Sequence, residues 1–151
     1  MKNPILSLLF IAVSCYLQAQ NNDLVQPAFL ELQAYPNIRD FTLSASGEEA
    51  YISVQSPYDQ ISVISRIEKQ NNRWSAPQTV SFSGKYHDLE PFLSPDNLRL
   101  YFASSRPKNN NSEETKDHDL WYVERHSIID PWGEPIHMGN EINSDQNEFY
   151  P

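Results

Sequence analysis

The sequence predicts an all-β protein built from antiparallel, four-stranded units, and three observations carry that prediction. Aromatic residues make up 12% of the chain and 11 Pro stand against only four Gly, which suits short strands separated by turns. Apolar and polar residues alternate with a period of two beside tight-turn pairs. One ordered set of short blocks also occurs twice, at an offset of about 50 residues.

The first block of each copy is a hairpin. Phe41-Thr42-Leu43-Ser44-Ala45-Ser46-Gly47, running on to Ser53, stands against Pro91-Phe92-Leu93-Ser94-Pro95-Asp96-Asn97, running on to Ala103. Ser44 matches Ser94, Tyr51 matches Tyr101, and an acid, Asp40 or Glu90, precedes each block. The turn pairs are Ser46-Gly47 and Asp96-Asn97, because Gly and Asn tolerate the positive φ that a tight hairpin turn requires. After the second turn, Leu98, Leu100 and Phe102 alternate with Arg99, Tyr101 and Ala103, as in a strand. A third strand is expected at Ile61–Arg66 and Leu120–Arg125, with Asp119 leading the second; its aromatics on both faces predict cover on both sides. Trp74-Ser75-Ala76-Pro77 and Trp132-Gly133-Glu134-Pro135 open the fourth, where Pro77 and Pro135 suit an outer edge.

Four antiparallel strands recurring in 50–60 residues point to propeller blades. The stretch Glu90-Pro91-Phe92-Leu93-Ser94-Pro95-Asp96-Asn97, with Leu100-Tyr101-Phe102-Ala103-Ser104 and Asp119-Leu120-Trp121-Tyr122-Val123, resembles the WD-repeat-like blade of TolB-type β-propellers. Met138-Gly139 and Ile142-Asn143-Ser144 extend the likeness to bacterial envelope proteins that carry such blades. The family's Gly after Ser-Pro-Asp is Asn97 here, and Ser44-Ala45-Ser46-Gly47 departs further from that turn. The resemblance implies an incomplete propeller of about two blades: residues 40–90, then 91–151 with the start of a third. Glu148-Phe149-Tyr150-Pro151 matches Asp88-Leu89-Glu90-Pro91, so a third turn is expected next, and a fragment or one piece of a larger assembly is the expectation.

Residues 1–19 read as an export signal. Lys2 is the positive start, Ile5–Val13 the apolar core and Leu17-Gln18-Ala19 a cleavage site before Gln20. The core is too short to span a bilayer, and no later segment approaches that length. Cys15, the only cysteine, leaves an alternative open: Ala12-Val13-Ser14-Cys15 is similar to a lipoprotein box, which would make Cys15 an acylated first residue. Residues 20–39 belong to neither copy. Pro27–Leu32 reads as a short helix or a lone outer strand, and the strand is the reading adopted.

Chemistry is sparse. A net charge of −9 argues against nucleic acid and anionic lipid surfaces. The loop Pro107–His118 is rich in Asn, Glu and Asp but lacks calcium-loop spacing, and reads as a solvated connection; Asn110-Asn111-Ser112 is a sequon without consequence in a bacterial export route. His87, His118, His126 and His137 lack zinc-site spacing, and no Gly-x-Ser-x-Gly elbow occurs. Ser94-Pro95-Asp96 lacks the Gly and Trp that complete the Asp-box of sialidases. Trp74, Trp121 and Trp132 read as packing residues rather than sugar platforms. No catalytic, metal or cofactor residue is assigned. The expected function is a non-catalytic scaffold, periplasmic, outer-membrane-associated or extracellular, that binds an envelope protein or glycan. The alternatives are the propeller portion of an exported glycosidase, sialidase or peptidase, and a truncated remnant.

Overall fold

The computed structural model describes residues 29–35, 37–108 and 117–151. The leader at 1–19, Cys15 and the sequon lie outside the described residues. The chain divides into Met1–Leu30 and Glu31–Pro151, and the fold is that of the second unit. It is all-β, with two antiparallel sheets and two short 3-10 turns among the described residues.

The first sheet contains β1 (Ile38–Leu43), β2 (Glu49–Gln55), β3 (Ser62–Gln70), β4 (Arg73–Trp74) and β5 (Gln78–Thr79). Its order is β1-β2-β3-β4, with β5 also paired to β3. The second contains β6 (Asp88–Leu93), β7 (Arg99–Ser104), β8 (Asp119–Glu124) and β9 (Ile136–His137), in that order. Both expected turns form. Gly47 (φ +73°) and Asn97 (φ +61°) take the left-handed backbone, and their N–H groups donate to the Ser44 and Ser94 carbonyls at 2.9 and 2.8 Å. The Ser44 and Ser94 hydroxyls each accept the N–H five residues on, from Glu49 (3.1 Å) and Arg99 (2.9 Å).

The sheets share their hydrogen bonding well beyond the turns. Thr42 faces Tyr51 as Phe92 faces Tyr101, and Leu43 faces Ala50 as Leu93 faces Leu100. Ser75 N–H donates to the Glu68 carbonyl as Gly133 N–H donates to that of Glu124, both at 2.8 Å. Pro77 and Pro135 directly precede β5 and β9, as the edge reading expects.

Three features differ from expectation. Leu30–Ala34 is a 3-10 helix with no buried residue, not an outer strand; its Leu, Glu, Gln and Ala are helix formers with no strand partner among the described residues. The third strands correspond as Ile64–Lys69 to Leu120–Arg125, because Ala50 pairs with Ile67 where Leu100 pairs with Val123. Matching Ile61–Arg66 to Leu120–Arg125 is therefore three residues out of step, an odd slip that exchanges the faces. The first sheet also has a fifth strand: Asn71 and Asn72 both take positive φ (51° and 61°), closing a two-residue hairpin that brings Arg73–Trp74 back onto β3. Tyr51, Ile52, Phe102 and Ala103 are all fully buried, so both faces of β2 and β7 are covered there.

The core lies between the sheets. Tyr51, Ile64 and Val80 of the first pack on Leu93, Leu100, Phe102, Trp121 and Val123 of the second, with Phe82 and Trp132 at the margin. No helix among the described residues is long and apolar enough to cross a membrane.

Candidate functional site

Two polar features lie where the sheets meet, and they have different characters. The first is a locked pair. Arg125, at the end of β8, sends its guanidinium into the first sheet, with Nη2 2.8 Å from Glu49 Oε2 and Nη1 3.1 Å from Oε1. Its Nε donates to the Asn97 carbonyl (2.8 Å), and its guanidinium carbon lies 4.3 Å from the centre of the Trp132 ring. Glu49 also accepts from Tyr51 Oη and Arg66 Nε, each at 2.6 Å, while Trp132 Nε1 donates to Tyr51 Oη (2.9 Å). Burial works against the Glu49 charge, but the bonds from Arg125 and Tyr51 outweigh it and hold the carboxyl below its ordinary range. Burial, with the bond to Glu49, pushes the Tyr51 phenol far upward. Every partner is engaged. This is structural glue.

The second feature is an acidic ridge along β1 and β6. Asp40 (φ +52°) and Glu90 (φ +56°) sit at the register break of their strands, where an extra residue bulges out. Glu90 N–H donates to Asp40 Oδ2 (3.3 Å) and to Ser53 Oγ (3.1 Å). The step then recurs: Tyr150 (φ +60°) donates its N–H to Glu90 Oε2 at 2.6 Å. Arg39 spans the two acids, 3.0 Å from Asp40 and 3.5 Å from Glu90. Burial raises the Glu90 carboxyl, the Tyr150 N–H lowers it and the Asp40 charge raises it again; the net direction is up. Phe41, Pro91, Phe92, Tyr150 and Pro151 join the acids around an open groove of about 250 Å³. Carboxylates between aromatic faces are equipped to hold a cationic or amide-bearing group.

The residues singled out in the sequence fall mainly into structural roles. Ser44, Gly47, Ser94, Asp96 and Asn97 build the two turns, with Asp96 accepting from Ser94 Oγ (2.6 Å) and Leu98 N–H (3.0 Å). Pro95 sits in the second turn. Asn97 also accepts the Ala45 N–H across the junction at 3.4 Å. Tyr51 and Trp132 belong to the locked pair; Tyr101 stacks obliquely on Phe92 and Tyr122, and Lys69 lies 5.9 Å from the Trp74 ring. Trp121 is in the core. Asp119 is almost wholly buried and meets His137 Nε2 at 3.2 Å.

Spacing alone does not reveal the histidine contact. His87 and His118 meet with their ring nitrogens 3.4 Å apart, and His118 also lies against Phe149. Among the described residues no group of three or more His, Cys, Asp or Glu is arranged to hold a metal ion. Comparison with protein-family profiles, characterised proteins and solved structures finds no match.

Proposed function

We propose that the two sheets are successive blades of a TolB-like, WD-repeat-like β-propeller, exported to the bacterial envelope. There it acts as a non-catalytic scaffold whose acidic ridge binds an envelope protein or glycan. The observation that carries this reading is the step Asp40 to Glu90 to Tyr150. Two positive-φ residues, Glu90 in the second sheet and Tyr150 beyond it, each donate their N–H to the carboxylate of the preceding member of the series. A bond passed along in this way between the first strands of stacked sheets is what rotation about a common axis produces. It lines that axis with the carboxylates, where propellers carry their channel. The turn residues, the paired strands and the Trp-x-x-Pro bends support the same reading, because corresponding positions keep the same bonds.

The test is a titration of the isotopically labelled protein, followed by amide chemical shifts. The probes are soluble peptidoglycan fragments and, separately, a short lysine-rich peptide. The expected result is perturbation confined to residues 39–41, 90–92 and 150 with one of the two probes, abolished by Asp40→Asn with Glu90→Gln. Silence with both probes would overturn the ridge as a binding face. Release of a cleaved sugar or peptide would favour the hydrolase reading instead.

A further inference from the structure

The outer face of the second sheet matches, position by position, the face of the first sheet that the second sheet covers. Tyr101, Leu120 and Met138 stand where Tyr51, Ile64 and Val80 stand, since register and bonding agree: Val80 N–H donates to the Ile64 carbonyl (3.1 Å) as Met138 N–H donates to that of Leu120 (3.2 Å). On the first sheet this face is sealed by Leu93, Leu100, Phe102 and Trp121. On the second it borders an open apolar groove of about 500 Å³, and Phe92 is 48% exposed where its counterpart Thr42 is 9% exposed.

The charges match as well, with one part missing. Asp88, fully buried, accepts from Ser83 Oγ (2.6 Å) within its own junction. From the second sheet it accepts Ser104 Oγ (2.6 Å), directly opposite in register, and Arg106 Nη2 (2.8 Å). Glu148 is the corresponding residue one step on. Its Oε1 accepts from Ser144 Oγ (2.5 Å), but its Oε2 is buried without a partner. The Asp119 side chain interacts with that of Glu148, and its buried Oδ1 likewise receives no donor; the Lys108 charge acts on Glu148 from nearby without donating to Oε2. The Asp119 Oδ2 is met by His137 at 3.2 Å and by Lys108 Nζ at 3.8 Å. A buried carboxylate oxygen left without a donor is costly, and Asp88 displays how this junction satisfies one.

Resting on the blade reading above, we infer that this face is the docking surface for a further antiparallel sheet of the same kind. Its second strand pairs with Glu148–Phe149 and carries a small hydroxyl residue opposite Glu148 and an arginine two residues on. That arginine supplies the donor that Glu148 Oε2 lacks, as Arg106 does for Asp88. The first sheet of a second copy does not meet the requirement. Ile38–Phe41 of that copy would need the place that Glu148–Pro151 already fills, and Ser56 stands where the arginine must be.

The test extends the full chain by appending a second copy of residues 92–151 after Pro151. The added sheet then starts from Glu148–Pro151 and brings its own Ser-Ser-Arg. The extended protein is expected to melt in one transition, above the parent chain. Glu148→Gln is expected to lower the melting temperature of the extended protein by roughly 6–12 °C and that of the parent by less than about 2 °C. An added sheet that melts separately, or leaves the melting temperature unchanged, would refute the blade reading itself. An added sheet that docks while Glu148→Gln acts equally in both proteins would refute the arginine inference alone. Concentration-dependent dimerisation of the parent, or calcium stabilisation that Glu148→Gln abolishes, would assign the face to another occupant and also overturn it.

Discussion

Arg125→Met removes the guanidinium that ties the second sheet to the first and leaves most of the side chain's stem over Trp132. In the wild-type chain the Arg125 side chain is 2% exposed and that of Glu49 is 11% exposed. The substitution deletes two bonds to Glu49 and one to the Asn97 carbonyl. Breaking a buried pair by removing one partner costs about 3–5 kcal/mol, because the other charge stays behind. Glu49 keeps Tyr51 and Arg66, so the lower end, about 3 kcal/mol, is expected. Urea unfolding at neutral pH measures this as a lower midpoint with an unchanged slope. Glu49→Gln on the Arg125→Met background should cost less than the sum of the single changes, by at least about 1 kcal/mol. A loss below about 1 kcal/mol would be that of a surface pair and would refute the buried lock. Strict additivity would do the same.

Three further outcomes follow, two from the geometry and one from the leader reading of residues 1–19. Ser44→Ala and Ser94→Ala should each cost about 1 kcal/mol in urea unfolding, and by similar amounts, because both hydroxyls hold the same turn; a cost at one site only would deny the equivalence. His118 is held below its ordinary value, first by burial and also by the neighbouring His87, with the Asn147 bond opposing. Its contribution should therefore be complete above pH 6.5 and decline as pH falls below it. His118→Gln should flatten that stretch of the stability–pH curve, and an unchanged slope would count against the half-buried His87–His118 contact. On the export reading proposed above, the intact mass of the mature protein should report a chain starting at Gln20; an acylated chain starting at Cys15 would replace the simple leader with a lipid anchor.

What was legible in the sequence was local. Ser46-Gly47 and Asp96-Asn97 announce their turns because positive φ selects the residue type within a few positions. Pro77 and Pro135 mark their edges by removing a donor. The register of the third strand is not legible, because its pattern is apolar on both faces and nothing in Ile61–Lys69 fixes which residue faces the core; only pairing with β2 decides it. Asn71-Asn72 gives only a faint hairpin signal, because the strand that returns from it has just two residues. The ridge and the lock were out of reach. Asp40 and Glu90 appear in sequence as matching acids, but their bond needs the stacking of two sheets. Arg125 and Glu49 lie 76 positions apart with nothing between them to connect the two.

The central claim is that the two sheets are stacked face to face by one repeated step, seen at Asp40, Glu90 and Tyr150. Nuclear Overhauser contacts from two amides test it most directly. The Glu90 amide should be close to the side chains of Asp40 and Ser53, and the Tyr150 amide close to the side chain of Glu90. Both sets present together is the predicted result. Contacts that place β1 and β6 edge to edge in one continuous sheet, or a Tyr150 amide with no contact to Glu90, would contradict it.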